Sequence, residues 1–599
     1  MLSVADDGRR EKRGQSDVRS RIARWDPSVY TIEDADLDGR CAALLGRCQE
    51  FADRYQGALY SRPAGEIAAA LRELGELRGL ALYLDGATAA GTAIASGDTS
   101  AIDRRIRVEA FLDEMDELVQ FAELEWLAVP DHSVKELLAD AALQEYRHFL
   151  EVVRSVVDYS LPEEAENALA AREQAATTAW VSLHNQITEG LRPAVRGKRQ
   201  SLEDARRWLE CDDYELRADA LSAIYDSLDP FADILAHSLD TLVADKLSVD
   251  ALRGFPHPRS ERDLANDLPS RVVDDMLGIA EQHYELPQRW FARKAELLGI
   301  DRLRFADMRA PVGPMPTIPY DTAVQAVTET FDGFAGWAGD LVREMFSSGH
   351  VDADPRPGKR GGAFCRSLGP GKLPCVLLSY YGTVEDVVSL AHELGHALHF
   401  SVAGRYRDGL TFDAPLALNE VGPALAELLL YARLIEREKD RRIRQLLVAK
   451  RAEGNLESIF LPTFLTRFET RAHELRGEGS ALTDARIRQL WAECGTPFYG
   501  PSVQAPDRWG LFWAVVPHLV HERFYCYSYA FARLVGLNLY AAYTRDPRAF
   551  QERFHQLLSC GGSATPAEQI ALAGIDITDP GTWHAGIAEA AAMLDPLLD

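Results

Sequence analysis

The segment that most constrains this chain is GTVEDVVSLAHELGHALHF, residues 382–400. Thr383 and Asp386 stand in the spacing of a capping box, so a helix is expected to start just after Thr383. Val387, Leu390, Ala391, Leu394 and Leu398 then form an apolar stripe at helical spacing. On that helix His392 and His396 lie one turn apart and face the same way, as two imidazole ligands of one zinc ion have to. Glu393 lies beside them without being a ligand, where it can take a proton from water and pass it to a leaving amine. Any fold of this chain therefore has to bury one side of this helix and keep its histidine side open to a reactant. Gly395, inside the helix, costs about 1 kcal/mol against Ala. Some other group is expected to approach the backbone closely there.

A catalytic zinc needs a third protein ligand and one open position. Downstream, LALNEVGPALAELLLYARL offers Glu420 and Glu427, seven residues apart and so nearly on one face of a helix. With Glu420 as the third ligand, Glu427 is left to orient a ligating histidine from behind. Pro423, three residues past Glu420, predicts that this helix starts late or bends.

The rest of the chain frames this site. Helical periodicity dominates: Ile67, Leu71 and Leu74 recur at i, i+4, i+7, as do Phe111, Met115, Leu118 and Ala122 farther along. Pro311, Pro314, Pro316 and Pro319 cannot share one helix and predict an extended connector. A second break, 352–374, holds the basic, Gly-rich PRPGKRGGAFC and leads into CVLLSYYG, the best strand candidate. The expectation is an α-dominated protein with one small β-sheet near its functional centre. Residues 1–24, polar and rich in Arg, Asp and Gly, read as disordered.

Composition narrows the partners. Across 599 residues, Lys+Arg number 65 against 92 Asp+Glu, a formal charge of −27. Such a surface opposes phosphate backbones and anionic lipid, so nucleic acid and membrane are not expected as partners. The 8 cysteines form no C-x-x-C pair, which fits a reducing compartment. The N-terminus has no apolar core of signal-peptide length, and no run of eighteen apolar residues occurs, so a cytoplasmic location is expected.

AHELGHALH at 391–399, a glutamate 24 residues beyond the second histidine, PRPGKRGGAFC at 355–365 and PHLVHERFYCYSYAF at 517–531 occur in that order. With WDPSVY from Trp25, this pattern resembles the oligoendopeptidase F group of zinc metallopeptidases, relatives of thimet oligopeptidase, over nearly the whole chain. The resemblance implies two helical lobes enclosing a deep channel with one zinc ion per chain, and cleavage of internal bonds in short unstructured peptides. It divides the chain into an N-terminal helical lobe, 25–200, and a zinc peptidase region, 201–599, with its catalytic core at about 350–535. It also implies that Gly361, Gly362, Ala363 and Phe364 line the substrate cleft.

An edge strand at Val376–Tyr380 is a second candidate for pairing with an extended peptide. Negative charge develops on the carbonyl oxygen during attack, and fixed donors stabilise it. His518, His521, Tyr525, Tyr527 and Tyr529 are the donors on offer. By analogy with the family, His518 is expected to serve, with Tyr525 and Tyr527 as the tyrosine candidates. A zinc exopeptidase of similar helical architecture and a catalytically silent peptide-binding protein are the competing readings.

Overall fold

The computed structural model describes residues 22–598, which form helices joined to small sheets of two or three strands. This is the mainly α fold that the periodicity predicts. Ile67, Leu71 and Leu74 fall on the helix Ala64–Ile94 and are buried. Phe111 and Met115 do the same on Thr99–Val119. Residues 311–319 form no helix or strand and bend at 312–313, a connector of the kind the four prolines require. Most of the segment expected to be disordered, 1–21, lies outside the described residues. Ala23 and Arg24 are bonded to the sheet: the Ala23 carbonyl accepts from the N–H groups of Ala353 and Asp354, and Arg24 Nε donates to Asp354 at 2.9 Å.

The chain forms two compact units that interleave along the sequence. One takes the chain up to Ser155, Met315–Arg437 and Leu539–Ile575; the other takes Val156–Pro314, Glu438–Asn538 and the chain from Asp576. The expected division at residue 200 places its single boundary differently.

In the first unit the helices Asp34–Tyr55, Ala64–Ile94 and Thr99–Val119 bury Leu37, Leu44, Phe51, Leu74, Leu77 and Met115 in a common core. The same unit holds the three-stranded sheet: Cys375–Leu377 lies in the middle, parallel to Val351–Asp352 and antiparallel to Phe364–Arg366. This corrects the expectation of a free edge at Val376–Tyr380. The N–H groups of Val376, Leu378 and Tyr380 donate to the carbonyls of His350, Asp352 and Ala353, so that side is filled. The outer strand on the other side is Phe364–Arg366. Trp25 pins the sheet from outside, its indole N–H donating to the carbonyls of Val376 at 2.8 Å and His350 at 3.1 Å.

The second unit is organised by the long helix Arg441–Gly477, packed against Asp484–Tyr499 and Pro580–Leu598. Its core is aromatic. Phe464 and Phe468 stand edge-on to Trp491 at 4.7 and 5.1 Å between ring centres.

Candidate metal centre

The helix Val384–Ala403 begins with a complete capping box: Thr383 accepts from the Asp386 N–H, and Asp386 accepts from the Thr383 N–H. Its apolar stripe is buried as the spacing demands, which leaves His392 and His396 on one face. The second helix, Val421–Arg437, crosses it at the glycines. A Cβ on Gly395 would stand 2.6 Å from Pro423 Cα and 2.8 Å from Pro423 N, which no packed carbon tolerates. A Cβ on Gly422 would lie 3.2 Å from the Gly395 carbonyl oxygen. Gly395 thus gives up helix propensity to let a second backbone come within van der Waals range. Pro423 does not bend the helix in mid-course. It lies in the first turn, where its missing N–H is one the helix would leave unpaired. The Ala424 N–H donates to the Glu420 carbonyl at 3.1 Å, so Glu420 sits at the helix entrance.

This crossing gathers the predicted ligands. One ligand atom from each of His392, His396 and Glu420 lies within 4.8 Å of the others, and the group is alone of its kind among the described residues. Glu420 Oε2 stands 3.5 Å from His392 Nε2 and 3.9 Å from His396 Nε2. On its far side His392 Nδ1 donates to Glu427 Oε1 at 2.7 Å. That bond fixes the tautomer and leaves the Nε2 lone pair directed at the group.

The electrostatics show what the group is suited to hold. Burial works against the His392 imidazolium. The bond to Glu427 and the charges of Glu427, Glu420 and Glu393 outweigh it and push His392 up to about 9. Burial carries His396 well below the usual range, with His392 and His399 adding to it. Three carboxylates around two imidazoles are a surplus of negative charge, and one of them, Glu420, already converges with both imidazoles. A divalent cation fits this donor set.

Glu393 is 6% exposed. Burial pushes it up to about 7, against the pull of His392 and with further lift from Glu420 and Glu427. The backbone of Cys365, on the outer strand, is close enough to pull it slightly the other way. Sequence reasoning did not find that contact, because no spacing links 365 to 393.

The Gly-rich loop behaves differently from a free basic patch. Arg356 and Lys359 both donate to Asp352, at 2.7 and 2.6 Å, and the Lys359 side chain is 1% exposed. Gly361, Gly362 and Ala363 are exposed and lead into the half-buried Phe364 on the outer strand.

His518, Tyr525 and Tyr529 form a cluster in the second unit. Tyr525 stacks on the His518 ring at 5.2 Å, and the Tyr529 hydroxyl lies 3.3 Å from His518 Nε2. Tyr527, expected to alternate with Tyr525 as a donor, is instead fully buried. Its hydroxyl accepts from Asn266 Nδ2 at 2.8 Å. The reason is helical: Tyr527 opens the helix Tyr527–Arg545, so it points away from its neighbours two residues to either side. His521 leaves the cluster too, bonding Asn185 Oδ1 at 2.7 Å.

The model for peptidase family M3 matches residues 207–589, and that for oligopeptidase F matches 125–192. The chain belongs to peptidase family M3. Among curated members, group B oligopeptidase PepB of Streptococcus agalactiae is 24% identical over 482 residues, 79% of this chain and 80% of that protein. Oligopeptidase PepF of Bacillus subtilis is 22% identical over 468 residues, 76% of this chain and 69% of that protein. The crystal structure of oligoendopeptidase-F from Enterococcus faecium shares the fold, with a TM-score of 0.68 at 19% identity over 95% of this chain and 98% of that one. This M3 chain is thus a metallopeptidase. No helix among its described residues is long and apolar enough to cross a membrane.

Proposed function

We propose that this M3 metallopeptidase is a zinc endopeptidase acting on internal bonds of short, unstructured oligopeptides. The observation that carries the reading is the convergence of His392, His396 and Glu420, with the carboxylate of Glu393 next in sequence and Glu427 behind His392. In this reading those three side chains hold one zinc ion per chain, and Glu427 keeps His392 in its ligating tautomer. Bound there, zinc supplies a Lewis acid that polarises a peptide carbonyl and acidifies water.

Glu393 takes the proton of the attacking water and returns it to the leaving amine. His518 donates to the carbonyl oxygen as it gains charge, with Tyr525 or Tyr529 as the second donor. Gly361, Gly362, Ala363 and Phe364 bring a peptide alongside the outer strand, where main-chain pairing reads backbone and tolerates many side chains. The oligopeptidase names of the curated relatives support the substrate class.

The test is hydrolysis of an end-blocked, unstructured peptide library by the wild type and by Glu393→Gln, with products identified by mass. Internal cuts made by the wild type and lost in the variant support the reading. Sparing of blocked peptides, with single residues released from unblocked ends, overturns it in favour of an exopeptidase.

A further inference from the structure

Between the short helix His518–His521 and the helix that opens at Tyr527, the chain passes through Phe524. This residue is fully buried and has a φ of 57°, in the left-handed region. A residue with a Cβ pays roughly 1–3 kcal/mol to stay there and does so only where its surroundings over-determine it. One of those constraints comes from Glu469 on the long helix. Its Oε1 accepts from the Phe524 N–H at 2.9 Å, across 55 residues of sequence. His473, one turn farther along that helix, packs on the Phe524 ring at 4.9 Å.

Glu469 is 4% exposed, and its second oxygen, Oε2, has no hydrogen-bond partner among the described residues. Burial pushes this carboxyl up to about 8, against the pull of the Phe524 N–H, Arg523 and Arg262. A half-satisfied acid in the core is poor packing, and a leucine of similar volume would cost less there. What the carboxyl does that leucine cannot is bind one particular N–H.

That N–H sits one residue before Tyr525. With Phe524 held, the Tyr525 ring stacks on His518 at 5.2 Å and stands 5.2 Å from Tyr529.

We infer that Glu469 is a positioning residue, which holds Phe524 in its left-handed turn and thereby sets Tyr525 against His518. The effect on catalysis rests on the proposed donor role of His518 and Tyr525; the effect on the turn does not.

The experiment compares Glu469→Leu with Glu469→Gln in the full-length protein. Gln keeps an acceptor for the Phe524 N–H and resembles the protonated acid, whereas Leu offers none. Expected for Leu are a kcat lowered at least about tenfold with KM within about threefold, unchanged zinc content, and faster amide exchange across 522–528. Gln should stay close to the wild type in all of these. Unchanged exchange in the Leu variant overturns the inference whatever the activity does, and so does a Gln variant as impaired as Leu.

Glu469→Ala, which creates room but also removes the acceptor, gives the same reading if Leu does not fold. His518→Ala and Tyr525→Phe separate the two layers. If neither lowers kcat, the donor reading falls, and the exchange result alone still decides whether Glu469 holds the turn.

Discussion

The metal centre and the segment 517–529 both carry histidines that the proposed reaction uses, yet they are built in opposite ways. At the metal centre the working side chains ride on regular helices. The i, i+4 spacing aims His392 and His396, and a glycine crossing brings Glu420 and Glu427 to them. In 517–529 the backbone is irregular: a short helix, a left-handed residue, then a new helix. There three of the residues are placed by partners far away in sequence. His521 is held by Asn185, Phe524 by Glu469 and Tyr527 by Asn266. A site on regular structure is stiff because its helices are. A site on irregular structure is only as stiff as its remote hydrogen bonds.

The sharpest way to break this comparison is at the base. Glu393→Gln keeps the shape of the metal centre and removes its proton acceptor. Peptide hydrolysis should fall by about 10²–10⁴-fold, with metal content by elemental analysis unchanged. Loss of the metal along with activity would mean that Glu393 supports the ligand cluster rather than the chemistry.

A smaller effect is expected one layer out. Glu427→Gln weakens the acceptor that fixes the His392 tautomer, so metal affinity by chelator competition should drop about 10–100-fold. An unchanged affinity would show that helix geometry alone orients His392.

The same contrast explains what the sequence could tell. The histidine helix, its capping box and the buried stripes at 67–74 and 111–115 follow from spacings within one helix, so residue patterns predict them directly. Glu420 as the candidate third ligand needed only a second short segment. The three-stranded sheet was harder. Its strands are two or three residues long, too short for a period of two to show, and nothing in CVLLSYYG tells a middle strand from an edge. Tyr527 was misjudged for a related reason. Alternation in F-Y-x-Y presumes an extended chain, whereas a helix starts at Tyr527 and turns it into the core. Glu469, Asn266 and the Cys365 backbone contact to Glu393 had no local signal, because each acts across a long stretch of chain.

The helix crossing gives the next prediction. Gly395→Ala puts a methyl 2.6 Å from Pro423 Cα, against backbone that cannot swing aside. Overpacking of this kind costs about 1–3 kcal/mol, which outweighs the helix propensity that Ala gains. Thermal unfolding should show a lower midpoint, and metal affinity should fall with it as Glu420 is pushed off the histidines. A variant as stable as the wild type would mean that the crossing is looser than its glycines imply.

The smallest effect is a slope in stability against pH, and it probes the irregular region. Glu469 is raised from 4.5 to about 8 by burial, despite the Phe524 N–H, Arg523 and Arg262. Between those values the folded chain keeps a proton that the unfolded chain releases. Its stabilising contribution is therefore complete below pH 4.5 and is lost as pH rises towards 8. His473 works the other way. Burial lowers it from 6.5 to about 3, with Lys246, Arg523 and His257 adding to it against the bond to the Glu469 carbonyl. The unfolded chain thus holds the extra proton between 3 and 6.5, and stability rises with pH there. The two slopes cancel from 4.5 to 6.5, which leaves Glu469 exposed only from 6.5 to 8. Over that window, denaturant unfolding of the wild type should lose stability relative to Glu469→Gln by at most about 1.4 kcal/mol per pH unit. Parallel curves for the two proteins would show that the carboxyl is ionised in the core, and that Arg523 or Arg262 reaches it more closely in solution than the single bond to Phe524 implies.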